Sequence, residues 1–302
     1  MTRPVDPLMN PADFPPQAPA ANPRVAEYDR DASAASAAVL AGFRPARHAY
    51  GAHPSQRLDV FTPPGGNGLR PALIFFHGGA WIAGYPWWTG FMAPGVAAAG
   101  GILIAPSYRL APEARFPAQL HDVAAAIDWV WRNAADLGID RRRIVVGGHS
   151  AGGHLAVLAC LHPAGLAATS VPPAAIRACM PLSCSFNLHY PDAEPGSGEE
   201  RVYRFLLARD SDDLDASPLT HAATPMSPLH VVMGESDFDR IRRTTVEMVT
   251  RLDALGRPVT LDEWPAHDHF DTHLALRDPD HPWFTRLRDI FDAPAMETTD
   301  AE

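Results

Sequence analysis

Short apolar runs alternate along the chain with segments of helical spacing. Residues 72–76 (ALIFF) and 102–105 are continuous apolar runs, the pattern of strands buried on both faces of a parallel sheet. Residues 144–147, 178–182, 229–234 and 259–263 read as further strands, and residues 57–61 alternate polar and apolar positions. Helical spacing marks residues 118–133, where Leu120, Val123, Ile127, Val130 and Trp131 recur on one face. Residues 153–161, 241–255 and 282–292 are also helical, the second closed by Gly256 and Pro258. A shorter helix over 29–40 takes Asp31 or Ser33 as its cap. Such alternation predicts a mostly parallel central sheet with helices on both faces. In sheets of this kind the chemistry collects just past the carboxyl ends of the strands.

Two stretches break the pattern. Residues 1–23, rich in Pro, Ala and Asn, read as a flexible arm, which leaves 24–302 as a single domain. Residues 187–224 carry Pro191, Pro195, Gly196 and Gly198 before an apolar helical stretch at 202–207, and read as an insertion passing over the sheet.

Candidate chemistry falls where the strands end. Gly148-His149-Ser150-Ala151-Gly152 matches G-x-S-x-G, with Ile144-Val145-Val146 before it and a helical run after it. A serine on so sharp a strand-to-helix turn needs small residues two before and two after, which Gly148 and Gly152 supply. His77-Gly78-Gly79-Ala80-Trp81 follows the ALIFF strand, and its glycines let backbone N–H groups approach a substrate. Gly78, Gly79 and Ala151 are the expected oxyanion donors. An acid is expected after the 229–234 strand: Asp237, with Glu235 and Asp239 as alternatives. A base is expected after the 259–263 strand: His269, with His267 the main alternative and His273 behind it. Residues 267–273 also admit a rival reading as a metal site.

Composition narrows the field. All 25 basic residues are arginine, which removes Schiff-base, P-loop and Ser–Lys chemistry. A net charge of −10 without a basic cluster argues against nucleic acid, and Arg141–Arg143 reads as a solvated loop. The apolar stretch at 96–105 is broken by Gly100 and Gly101, so no membrane span is expected. The first 16 residues lack a signal-peptide pattern, and a cytoplasmic location is the default expectation. Cys160, Cys179 and Cys184 show no metal spacing and imply no disulfide framework.

With these residues in hand, the chain resembles two related groups of the α/β-hydrolase fold. It resembles the hormone-sensitive-lipase-like esterases through His77-Gly78-Gly79, Tyr108-Arg109-Leu110-Ala111-Pro112-Glu113 and Gly148–Gly152, although Asp237 is not followed by their Pro-Leu. It is similar to the kynurenine formamidase (arylformamidase) group through His77–Trp81, His149-Ser150-Ala151-Gly152-Gly153-His154-Leu155, Gly234-x-x-Asp237 and Asp268-His269-Phe270. The segments Tyr50-Gly51 and Leu58-Asp59-Val60-Phe61 fit as well, and the likeness runs roughly from Tyr28 to Leu276. It implies a triad of Ser150, Asp237 and His269, no cofactor, and a small ester or aryl formamide as substrate. Carboxylesterase is the leading expectation, arylformamidase the second, and a non-catalytic binding protein on the same fold the third. Trp81, Tyr85, Trp88 and Phe186 are the pocket candidates, against a rival reading in which the aromatics after the oxyanion loop only pack it onto the sheet. No feature of the sequence signals an oligomeric state.

Overall fold

The computed structural model describes residues 6–17, 23–65, 68–172 and 175–294. Eight strands form one sheet: β1 Ala46–Ala49, β2 Arg57–Phe61, β3 Arg70–Phe76, β4 Ile102–Pro106, β5 Ile139–His149, β6 Ile176–Leu182, β7 Leu229–Ser236 and β8 Val259–Asp268. Their order is β1-β2-β4-β3-β5-β6-β7-β8. β1 and β2 pair antiparallel with their neighbours, and all later pairings are parallel. The helices are α1 Pro23–Val39, α2 Ala93–Ala98, α3 Ala118–Asn133, α4 Ala151–Leu161, α5 Gly198–Arg201, α6 Asp239–Ala254, α7 Asp271–Leu274 and α8 Pro282–Asp292.

The alternation of side chains along each strand divides the core in two. Ala72, Ile74 and Phe76 of β3 face α3, α4 and α6 with Ile144 and Val146 of β5. Leu73 and Phe75 face the other way, with Val145, onto α1, α2 and α8. The expected α/β architecture is therefore the observed one. Helices α3 and α8 occupy the expected spans, while α1 starts at Pro23, six residues earlier than expected. β8 runs past its expected end through Pro265 to Asp268, which an edge strand permits because its outer N–H groups have no ladder partner.

Residues 6–17, within the expected flexible arm, pack on the body. Phe14 is buried edge-on to Tyr85 and Trp87, both at 5.6 Å. The Gln17 amide donates to Gly84 O (2.9 Å) and accepts from Gly84 N (2.7 Å). The aromatic anchor, these hydrogen bonds and those of Arg44 to Asp6 and Arg47 to Leu8 O dock a stretch whose composition suggested looseness. Residues 1–5 and 18–22 of that expected arm lie outside the described residues. Within 187–224, α5 leads into a π-type turn, Val202–Leu206, and Val202, Leu206 and Leu207 join the core on the α3–α4 face. No helix among the described residues is long and apolar enough to cross a membrane.

Candidate active site

Three loops meet beyond the carboxyl ends of β5, β7 and β8. β5 runs directly into Ser150, whose backbone sits at φ 53° and ψ −120°, a conformation costing about 1–3 kcal/mol for a residue with a side chain. Ser150 N donates to Leu182 O (2.9 Å), and His154 N donates to Ser150 O (3.0 Å), which hold the turn. The flanking glycines are required by contact. A Cβ at Gly148 would lie 2.4 Å from Gly152 C, and one at Gly152 would lie 2.2 Å from Phe76 O.

His269 joins the other two groups. Its Nε2 lies 2.9 Å from Ser150 Oγ and its Nδ1 lies 2.9 Å from Asp237 Oδ1. Asp237 and His269 are buried, and Ser150 is partly open. Burial works to raise the Asp237 carboxyl, but the hydrogen bond and charge of His269, with the Phe238 amide at 2.8 Å, hold it below the usual carboxylate range. An ionised Asp237 keeps the His269 proton on Nδ1, which leaves Nε2 as the acceptor for the Ser150 hydroxyl. The alternatives have other partners. Glu235 accepts from Ala266 N (2.8 Å), and Asp239 is exposed in the first turn of α6. His267 Nδ1 bonds Pro265 O, and His273 Nδ1 bonds the Tyr28 hydroxyl (2.7 Å) in the core.

The glycine loop after β3 packs against the serine. A Cβ at Gly78 would lie 3.1 Å from Ser150 Cβ and 2.8 Å from His149 Nδ1, so only glycine lets the loop come this close. Gly79 takes φ +118°, and the Gly78 and Gly79 amides donate to no protein acceptor among the described residues. Ala151 opens α4, where the first N–H groups have no intrahelical partner and carry the positive end of the helix dipole. His77 is a pillar beneath the loop. It stacks on Tyr108 at 4.6 Å, its Nδ1 lies 2.7 Å from Gly78 O, and burial pushes it down to about 4, so it is neutral. Ala80 and Trp81 follow with φ 51° and 62°, strained for non-glycine residues. Trp81 Nε1 donates to His154 Nδ1 (3.3 Å), and His154 Nε2 donates to Ala216 O (2.8 Å), linking this loop to α4 and the 187–224 segment.

The pocket candidates separate. Trp81 and Tyr85 are half-buried at the loop. Trp88 is packed under α1 with its indole N–H on Asp29 Oδ1 (2.7 Å), and Phe186 is 0% exposed in the core, with its amide on Thr244 Oγ1. Both are core residues, covered by α1 and α6. Sequence reasoning missed Phe238, which is 41% exposed with its ring 4.7 Å from that of His269. Its place next to Asp237 was the only signal. A cavity of about 1430 Å³ is lined by His230, Trp264, Trp283 and Arg286 and touches none of Ser150, Asp237 and His269. Its volume says nothing about acyl chemistry, whereas the hydrogen-bonded geometry of those three residues does.

Among the described residues, a histidine–carboxylate cluster lies elsewhere: His162, Asp215 and His221 have ligating atoms within 4.8 Å of one another. The Ala164 amide donates to His162 Nδ1, so the ring proton is on Nε2, which gives it to Asp215 Oδ1 (3.0 Å). His221 Nε2 donates to Asp215 O (2.9 Å). Both nitrogens act here as donors, which ties α4 to the 187–224 segment.

A family model described as alpha/beta hydrolase fold matches residues 73–272. The carboxylesterase NlhH of Mycobacterium tuberculosis is 30% identical over 72% of this chain and 72% of its own. The isoprenylcysteine alpha-carbonyl methylesterase ICME of Arabidopsis thaliana is 29% identical over 76% of this chain, which spans only 57% of the plant protein. Among solved structures, a hyperthermophilic esterase from the archaeon Pyrobaculum calidifontis superposes with a TM-score of 0.72 at 20% identity, covering 88% of this chain and 91% of that one.

Proposed function

Because the chain belongs to the alpha/beta hydrolase fold family, we propose that it is a serine hydrolase cleaving small carboxylic esters through an acyl-enzyme, with Ser150, His269 and Asp237 as its triad. One observation carries this reading: Ser150 Oγ and Asp237 Oδ1 each lie 2.9 Å from opposite nitrogens of one imidazole. His269 Nε2 takes the Ser150 proton as Oγ attacks the substrate carbonyl carbon. The negative oxygen of the tetrahedral intermediate rests on the N–H groups of Gly78, Gly79 and Ala151, each donor contributing roughly 10²–10³ in rate. The imidazolium, steadied by Asp237, protonates the leaving oxygen. His269 then activates a water that releases the acid and restores Ser150.

The names of both curated relatives denote ester hydrolysis, which favours esters over amides. An aryl formamide suits the same relay, since an arylamine leaves once His269 protonates it. Rates on N-formylkynurenine beside p-nitrophenyl esters of graded chain length test the choice. Faster turnover of the esters is expected, and a preference for the formamide overturns the ester assignment. Ser150→Ala should lower kcat by roughly 10⁶ with the circular dichroism spectrum unchanged, and an activated phosphonate should label Ser150. Retained turnover in that variant refutes the triad.

A further inference from the structure

The loop that carries His269 is gripped from the far end of the chain. Arg24 of α1 sends Nε to Asp268 Oδ2 (3.0 Å) and Nη2 to Asp268 Oδ1 (3.0 Å) and Asp271 Oδ1 (2.7 Å). Its guanidinium lies 5.1 Å from the Phe270 ring centroid. These three partners are the residue before His269 and the two after it. Asp268 Oδ1 also accepts the Phe270 and Asp271 amides, each at 2.8 Å, so one carboxylate organises the whole bend. Four residues along α1, and so on the same face, Tyr28 is buried with its hydroxyl 2.7 Å from His273 Nδ1 and its ring 5.2 Å from Phe270. From the opposite side, His149 Nε2 (2.9 Å) and Thr272 Oγ1 (3.0 Å) donate to His269 O.

We infer that α1 is a clamp on the catalytic base, in which Arg24 and Tyr28 fix the 268–271 bend and Arg24 balances the two carboxylates flanking His269. Arg24 is then a positioning residue, and this inference rests on the assignment of His269 as the base. The charged and titratable groups facing His269 are Asp237 from the β7–α6 loop, His149 from β5, His273 from α7, Asp268 and Asp271 on its own loop, and Arg24 from α1, with Arg240 behind Phe238. Burial and the other histidines keep His149, at about 3, and His273 neutral. Among the described residues, Arg24 is therefore the one cation set between Asp268 and Asp271. Without it, two carboxylates face each other across the bend and favour a protonated imidazole.

The test compares Arg24→Gln, Arg24→Lys and Tyr28→Phe in the full chain. Arg24→Gln should lower kcat about tenfold with KM within about twofold, since a loosened bend misplaces the base. The acid limb of kcat/KM should move to higher pH by about 0.3–0.7, a range set by solvent screening of a half-exposed pair. Arg24→Lys keeps the charge without the fork, so the limb should return to its wild-type position while kcat recovers only in part. Tyr28→Phe should lower kcat about threefold without moving the limb. The same comparison by NMR, following the pH midpoint of the His269 ring assigned through His269→Asn, needs no substrate. It decides the clamp even if the ester reading fails. An unchanged midpoint and kcat in Arg24→Gln, or equal midpoint shifts in Gln and Lys variants, overturns the inference.

Discussion

Gly152→Ala sets two effects against each other, and the structure decides the winner. Gly152 lies in the first turn of α4, where alanine alone would gain about 1 kcal/mol of helix propensity. The added Cβ, however, would meet Phe76 O at 2.2 Å and His77 O at 2.4 Å, about 1.2 Å short of ordinary contact. Both obstacles are backbone carbonyls at the end of β3, so no side chain can swing aside. The end of β3 must move, and Gly78 and Gly79 follow it directly. Overpacking of this kind costs about 1–3 kcal/mol, which cancels or exceeds the helical gain. The larger effect falls on rate, because displacing the proposed oxyanion donors by about 1 Å costs roughly 10² in kcat. The assay is kcat on a short p-nitrophenyl ester, with urea unfolding of the same preparation. Gly42→Ala is the control, since a Cβ there meets nothing within 4 Å; it should leave both readings unchanged. A Gly152→Ala enzyme turning over within twofold of wild type would falsify the steric account of this turn.

Further outcomes follow from the same contacts. Asp237→Asn should lower kcat by about 10⁴ through loss of the correct tautomer, whereas Asp239→Asn should stay within about twofold; equal losses mean the acid is misassigned. Trp81→Phe and His154→Leu should each cost about tenfold in kcat, and the double variant no more than either, because they break one shared contact; additive losses refute the link. Acid should weaken the fold through its buried neutral histidines. Burial lowers His77 and His154 to about 4 and His149 to about 3, below their unfolded values near 6.5. Between those limits the unfolded chain binds more protons, so stability is full above about pH 6.5 and falls towards pH 4, by up to about 1.4 kcal/mol per pH unit for each group. Urea midpoints at three pH values read this directly, and a flat profile contradicts it.

What the sequence disclosed depended on how local the signal was. The parallel strands β3 to β7 are each legible because burial on both faces favours apolar runs, although His230 interrupts β7, and β5 starts at Ile139, so that Arg141–Arg143, read as a solvated loop, lie within the strand. β1, Ala46–Ala49 (ARHA), is invisible for the converse reason: it is an edge strand with neither an apolar run nor clean alternation. Asp31 and Ser33 looked like caps for α1, yet both lie inside it, with Ser33 Oγ donating to Asp29 Oδ1 (3.3 Å). Ser150 and the glycine loop announce themselves because strained turns restrict residue choice within a few positions. Trp88 and Phe186 misled for a tertiary reason. An aromatic after a strand end looks the same whether it faces a pocket or is roofed by a helix, and here α1 and α6 provide the roof. The Arg24–Asp268 contact joins residues 244 positions apart, and nothing local encodes it.

The two halves of the site are held by different physics, and they should fail differently. Ser150 and the Gly78–Gly79 loop are fixed by close steric packing, mostly against backbone and, at Gly78, against the His149 ring and Ser150 Cβ, through glycines whose hydrogen atoms leave no room to spare. Asp237 and His269 are fixed by side-chain hydrogen bonds and opposed charges spread over β7, β8, α1 and α7. Salt and pH act on the second half and barely touch the first, because steric contact carries no charge. Moderate salt should therefore narrow the gap between Arg24→Gln and wild type while leaving the deficit of Gly152→Ala as it is. That divergence requires the serine loop to be rigid by packing and the base to be rigid by electrostatics. If salt restored both variants alike, or neither, the base loop would have to be held by packing too, and the role given to the N-terminal helix would lose its basis.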